Sequence, residues 1–370
     1  MGIKSINKLL RSQCPQVFRE THLSEFAQKR IAVDLSLFLH KYLGVGGNEH
    51  WLDLFLNLLC CLKRYRVTAI FVVEGKAPSE KDAERLSRAN QHEKIERRAL
   101  LMTRLVQVLW PVPSADVPPL SPGEQEQLVE LGKKALKLPD EVSELRQLEP
   151  YLDRLVDIED RANKATAHPT REILEQVKDV LNLLGTPVVQ AQGEAETLCS
   201  HWARTGEIDG VVTEDTDVLA YGCPVFISKL NTNSGACVVI QHDELLQGLE
   251  LKKPQFLDLC IMCGTDYNKN IPRIGPMKAY QLIKKHGNIE GIAQAGHDVT
   301  ILSHQRGRTM FTEAPPAVEI PRSKPCNLAA LSVLLYQLGS RYNFNQFQNL
   351  WAPAAVVFEE ESNTSSSDSD

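Results

Sequence analysis

The chain has no apolar run approaching the roughly 20 residues that span a bilayer, and its opening Met1–Ile6 carries no secretory pattern. Position six also lacks the Ser or Thr that a myristoylation signal needs. A soluble, intracellular protein is expected. A disulfide framework is missing too. The nine cysteines, at 14, 60, 61, 199, 223, 237, 260, 263 and 326, are odd in number and irregularly spaced, as free thiols in a reducing compartment would be. Cys260 and Cys263 form a lone C-x-x-C without the second pair or His pair of a zinc site, and inside the apolar run Phe256–Met262 they read as core. No internal repeat is visible. An excess of positive charge is also absent: 41 Lys and Arg face 47 Asp and Glu, a net charge of −6. Five of those acids lie between Glu359 and Asp370, and setting them aside leaves 42 acids against 41 bases. A polyanionic partner must therefore be met by local rather than global charge.

What is present is a chain of 370 residues, 43% hydrophobic and 24% charged, ample for one large core or two smaller ones. Arg30–Val33 and Thr68–Val73 read as buried parallel strands, with amphipathic helical spacing from Trp51 to Tyr65 between them. A β-α-β order with continuous apolar strands predicts an α/β fold, a mostly parallel central sheet with helices on both faces. From Lys76 to Arg104 the chain carries eight Lys or Arg and five acids, followed by a proline-rich stretch from Pro111 to Pro122 and polar helical sequence to about Thr166. This reads as an insertion projecting from the sheet with a flexible joint at the prolines, or, over residues 111–165, as a solvated linker. The α/β pattern resumes with a helix Arg171–Leu184, a strand Pro187–Gln190, a helix opening near Glu194 and a strand Gly210–Thr213. Pro224–Leu230 and Ala236–Ile240 read as paired strands around Asn231–Gly235, and helices dominate from Pro254 to about Ala295. The Ser/Asp-rich tail has the composition of a disordered segment.

The acids fall in a telling place. Asp34, Glu74 and Asp215 or Asp217 each follow directly on an apolar strand, Glu194 and Glu196 open a helix just after another, and Asp266 stands at a helix end. In an open parallel sheet the ligand crevice lies beyond the carboxyl ends of the strands, so acids distant in sequence converge there. Like charges at close range raise one another's pKa, and divalent cations remove that repulsion. Hard oxygen ligands select Mg²⁺ or Mn²⁺. Two such ions about 4 Å apart suit an in-line phosphoryl displacement. A single strand-end acid is more often a helix N-cap than a ligand, and Asp34 before Leu35 and Ser36 fits that role alone. Four separate sites all carrying acids favour the chemistry.

At these residues the chain resembles the flap endonuclease and XPG-type 5′ nuclease family. The matching blocks are Met1–Ile3, Ala32–Ser36, Phe71–Pro78, Gly193–Glu196, Thr213–Gly222 and Leu259–Tyr267, running on to Ile274–Pro276. The resemblance implies a PIN-like 5′ nuclease fold with a helical arch and a helix–two-turn–helix. It implies that Asp34, Glu74, Glu194, Glu196, Asp215, Asp217 and Asp266 match the family's metal-site acids, holding two Mg²⁺ ions that Mn²⁺ can replace. Lys81 and Arg88 match two bases at the foot of the arch that contact the scissile phosphate, with Arg85 beside them. After Met1 removal, the Gly2 amine is similar to one set near the active site. Residues Ile271–Ala279 resemble the helix–two-turn–helix, where the family has a potassium ion bridging turn and duplex. There Gly275 lets backbone amides approach a phosphate, Pro276 presets the first helical turn, and Arg273, Lys278, Lys284 and Lys285 add charge. Glu74 stands where flap endonucleases have Asp and is similar to the Holliday-junction-resolving branch. His40 stands at a stacking position and is similar to the exonuclease branch.

The expected activity is hydrolysis of phosphodiester bonds in 5′-flap or junction DNA, in replication, repair or recombination, by a chain that works as a monomer in the nucleus or wherever DNA is copied. An RNA-cleaving relative and a junction-binding module without catalysis are the alternatives. No clear sliding-clamp motif is present, Gln346–Trp351 being a poor approximation. The expected division is 1–92, first part of the core and arch base; 93–168, arch or linker; 169–300, second part of the core with the helix–two-turn–helix; 301–358, a C-terminal region packing on the core; and 359–370, the acidic tail.

Overall fold

The computed structural model describes residues 2–110 and 118–351. The acidic tail, residues 352–358 and most of the proline joint lie outside these. Strand residues alternate between two cores, as a sheet covered on both faces requires. Ala32, Ile70, Val72 and Val211 point into one cluster, and Ile31, Val33, Ala69, Phe71, Val73 and Val212 into the other.

Seven strands occur among the described residues: β1 (Arg19–His22), β2 (Arg30–Asp34), β3 (Thr68–Val73), β4 (Val188–Gln190), β5 (Gly210–Val212), β6 (Val225–Ser228) and β7 (Ala236–Gln241). Their order is β1-β7-β6-β5-β2-β3-β4. The five from β6 to β4 run parallel, while β7 and β1 complete one edge antiparallel. From β2 the chain winds one way through β3 and β4 and later the other way through β5 and β6. The order therefore reverses between β2 and β5, which places the ligand crevice at their carboxyl ends. The strand β1 was not anticipated: Arg19-Glu20-Thr21-His22 has no apolar signature, because an edge strand faces solvent.

On one face packs α1 (Ile6–Gln13), joined by helices of the later chain; on the other, α2 (Leu35–Arg64). The helix α2 extends far beyond the expected Trp51–Tyr65. Gly47 breaks it, with φ 62° and ψ −164°, a conformation a residue with a Cβ rarely adopts. Between β3 and β4 come α3 (Asp82–Leu109), α4 (Pro122–Leu136) and α5 (Leu152–Thr166). These replace the solvated linker with helices around a small core of their own, including Met102, Leu105, Leu128, Leu136, Leu148 and Leu155. The helix α3 also runs unbroken through the expected division at residue 92. The sequence hid this because α3 buries only a short apolar stripe near its far end, leaving most of it charged and exposed.

The chain returns through α6 (Arg171–Leu183), then α7 (Ala195–Thr205), α8 (Asp217–Ala220), α9 (His242–Leu249), α10 (Lys253–Cys263) and α11 (Pro276–His286). Cys260 and Cys263 are buried in the core as read. After α12 (Ile289–Gln294) and α13 (His304–Thr312), the closing α14 (Leu328–Gln337) and α15 (Phe344–Trp351) join the core of α2. Phe347 is fully buried there and stacks on Trp351, so the poor clamp approximation has its aromatics turned inward. No described helix is long and apolar enough to cross a membrane.

Candidate active site

The acids reach the crevice because several elements end or begin there. Asp34 is the last residue of β2 and also the N-cap of α2, so the structural and chemical readings of this residue coexist. Its Oδ1 accepts the Leu37 amide at 3.2 Å, and its Oδ2 accepts the Thr213 hydroxyl at 3.2 Å. Thr213 follows β5 and accepts the Asp215 amide at 3.1 Å, so one hydroxyl spans the switch point. Asp215 in turn accepts the Asp217 amide at 2.9 Å. Glu194 stands at the N-cap position of α7, its side chain turned to other partners, and Glu196 lies in the first turn, where the helix dipole favours negative charge. Glu74 follows β3 at the open rim. Asp266 lies in the loop after α10.

Two bases of the arch reach into this group. Lys81, 7% exposed, has its Nζ on Glu194, 3.3 Å from Glu196 and 3.6 Å from Asp266. Arg88, about two turns further into α3, pairs through Nη2 with Asp266 at 2.6 Å and through Nε with Glu84 at 3.2 Å. Arg85 turns outward to Asp82 at 3.5 Å. Tyr267, which the sequence reading passed over, gives its hydroxyl to Glu194, touches the Tyr221 hydroxyl at 2.7 Å, and has the Lys81 ammonium 5.0 Å above its ring. The signal was its place directly after Asp266; Thr213, directly before Glu214-Asp215, was equally legible.

Burial dominates the electrostatics. It pushes Asp34 up to about 7, helped by Glu196. Burial likewise raises Glu194 to about 7 and Asp215 to about 6, Glu196 again adding to both. Asp217 is raised well above the carboxylate range by complete burial and by Asp215. Glu74 moves up as well, through partial burial and the charges of Glu196, Asp34 and Glu194. Lys81 is held charged: burial opposes the ammonium, but Glu196 and Glu194 outweigh it.

The residues fit divalent ions. Asp217 is 0% exposed, yet neither carboxylate oxygen has a hydrogen-bond partner, an arrangement that a cation resolves and that is costly without one. Lys81 occupies the space among the carboxylates, its ammonium shared by Glu194, Glu196 and Asp266. Gly2 closes the floor. With φ at +82°, a Cβ there would lie 2.8 Å from the Asp217 amide nitrogen and 2.7 Å from Thr216 Oγ1, so any side chain would collide with the loop carrying Asp215 and Asp217.

These shifts predict a pH dependence. In the metal-free protein Asp34, Glu194 and Asp215 keep protons up to pH 6–7 when folded, but would lose them near about pH 4 when unfolded. The folded chain therefore binds more protons across that window, and this contribution to stability falls as pH rises. Protons compete with the ion, so Mg²⁺ should raise Tm more at pH 7.5 than at pH 5. Equal increments at both pH values in thermal melts would contradict a gathered acid cluster.

The remaining expected contacts lie elsewhere. Arg273 (φ 64°), Gly275, Lys278, Lys284 and Lys285 are exposed around the N-terminus and outer face of α11, with Lys284 engaged by Glu250. His40 is on the outer side of α2. Partial burial, then His168, Arg88 and His92, lower its pKa.

Models of the XPG N-terminal domain and the XPG I-region match residues 1–95 and 185–266. Flap endonuclease 1 of Trypanosoma cruzi is 31% identical over 347 residues, covering 86% of this chain and 76% of that protein. A probable RAD2-like endonuclease, 369L, of Invertebrate iridescent virus 6 is 28% identical over 341 residues, covering 84% of this chain and 79% of its own length. Among solved structures, the catalytic core of Rad2 in complex with DNA substrate has the same fold at a TM-score of 0.60 and 15% identity, covering 94% of this chain and 98% of that one. Flap endonuclease-1 from Methanococcus jannaschii is similar at 0.58 and 18% identity, covering 92% and 97%.

Proposed function

This chain belongs to the XPG-type family of flap and RAD2-like endonucleases, and from that premise we propose that it hydrolyses phosphodiester bonds in branched DNA, at 5′ flaps or junctions. One observation carries the reading: the fully buried Asp217, with both carboxylate oxygens unpartnered, lies at the switch point among acids delivered by β2, β3, β4 and β5 and beside the two arch bases. A pair of divalent ions bound there, Mg²⁺ with Mn²⁺ as substitute, would lower the pKa of an attacking water and neutralise charge on the departing 3′ oxygen.

The chain's own residues do the rest. Asp34, Glu74, Glu194, Glu196, Asp215, Asp217 and Asp266 supply the hard oxygen ligands. Thr213 and Tyr267 fix the orientation of Asp34 and Glu194 from behind. Lys81 and Arg88, paired with carboxylates in the free protein, exchange those partners for the scissile phosphate and stabilise charge growing on its oxygens. Buried low-dielectric walls strengthen that interaction. His40 offers a ring for a base at the bend. The α10–α11 turn, with Gly275 at the helix N-terminus and K⁺ as its companion ion, holds a duplex phosphate away from the cut. Recognition then rests on shape and backbone rather than sequence.

The direct test is cleavage of an end-labelled 5′ flap with and without Mg²⁺, beside gapped, four-way and RNA-containing substrates. Mg²⁺-dependent cutting near the branch is expected. Tight binding with no cutting in either metal would replace this reading with a junction-binding module. The duplex-clamp assignment has its own readout: Lys278→Ala should weaken binding uniformly across sequences and reduce the salt slope by about one. An unchanged slope in anisotropy titrations would remove Lys278 from the interface.

A further inference from the structure

Away from the acids, the foot of the arch gathers a second and chemically different set of ligands. His92 and Glu96 are one turn apart on α3 and share a face. His168 lies just beyond α5, before α6 opens at Arg171, where the insertion rejoins the sheet. Two segments distant in sequence thus present two imidazoles and a carboxylate, with ligand atoms all within 4.8 Å of one another. The two rings meet edge-on, centroids 5.2 Å apart.

The surroundings prepare both imidazoles. His168 Nδ1 lies 3.3 Å from the Thr166 carbonyl oxygen, which can only accept, so Nδ1 carries the proton and Nε2 keeps its lone pair. Pro169 restricts the His168 backbone to extended conformations. His92 Nδ1 lies 3.2 Å from Glu96 Oε1, while its Nε2 is buried without a hydrogen-bond partner. An acceptor nitrogen cut off from water has a cost that a metal ion would remove. We infer that His92, Glu96 and His168 form a second metal site, for a borderline transition ion of the Zn²⁺ class rather than Mg²⁺. Imidazole is a poor ligand for hard Mg²⁺ and a good one for Zn²⁺, and a His₂Glu set leaves a fourth position to water.

The bound ion would staple the outgoing leg of the arch, α3, to the point where the returning leg meets α6. Arg88, which reaches Asp266, lies one turn from His92 on the same helix. The ion would therefore restrain the part of the arch that delivers the phosphate-contacting bases. The inference does not depend on the acid cluster being catalytic.

The test uses the full chain, stripped with a chelator and titrated with Zn²⁺ against a chromogenic competitor in excess Mg²⁺, which keeps the carboxylate centre occupied. One Zn²⁺ per chain is expected for the wild type and for Asp217→Asn. Affinity should fall at least about tenfold in His92→Gln and in His168→Gln. Co²⁺ in place of Zn²⁺ should give a visible d–d band in the wild type that both His variants lose. Zinc-free melting curves equal to wild type establish that the variants are folded. Wild-type zinc binding in either His variant, or no Zn²⁺ retained by the wild type under these conditions, overturns the site.

Discussion

Asp217→Asn should abolish cleavage, by on the order of a thousandfold or more, and at the same time raise the melting temperature of the metal-free protein. The two effects have one cause. Asp217 is completely buried, its oxygens are unpartnered, and Asp215 repels its charge. In the absence of ions, that position must either hold a buried charge or take up a proton that the unfolded chain has lost at pH 7.5, and an amide of the same shape avoids both costs without opening a cavity. With ions, the same carboxylate is the one most enclosed by the site, and its loss removes a ligand that water cannot replace in a dry crevice. Flap binding, carried by α11 and the arch, should remain. Single-turnover cleavage, anisotropy and metal-free melts at pH 7.5 separate the cases. A variant that loses Tm along with activity would make Asp217 a structural residue.

Lys81→Met should have the opposite sign in stability and the same sign in activity. Its ammonium is the main counter-charge to Glu194 and Glu196 in the ion-free protein, and it shares Asp266 with Arg88. The folded-state pKa lies above the unfolded value, so this contribution is fully present at neutral pH and lost only in strong alkali. Breaking such a buried pair costs up to about 3–5 kcal/mol, less whatever the freed acids recover by taking up protons. Mg²⁺ should then bind more tightly, because the competing ammonium is gone, and Mg²⁺ should restore more Tm to the variant than to the wild type. Cleavage should nevertheless fall about a hundred- to a thousandfold, the range for removing one charge-stabilising donor from the reacting phosphate. Wild-type kcat with unchanged Mg²⁺ dependence would place Lys81 outside the reaction.

How far these residues were legible depends on what positions them. Asp34, Glu74 and Asp215 could be read because each ends a buried parallel strand, and such strands are short continuous apolar runs with a punctuating acid. Asp266 follows a buried helix, and the match of its block to the family identified it. The insertion was harder to read. Its helices bury a narrow stripe against one another, so α3 and α5 look polar along most of their length, and the apolar positions that join them lie more than 40 residues apart, as Leu105 and Leu155 do. The edge strand β1 left no signal, since its pairing with β7 is made by backbone groups common to all residues.

The sequence alone determined the fold class and the family and drew attention to the seven acids, because apolar periodicity and the order of short motifs are local properties of the chain. Tertiary structure decided which of those acids is the orphaned one, that Lys81 sits among them as a resident cation, that Thr213 and Tyr267 brace them, and that His92, Glu96 and His168 meet at the foot of the arch. The reason is physical: whether a carboxylate is paired, crowded or dry depends on distances between elements that touch only after the sheet has closed, and no spacing along the chain encodes those distances.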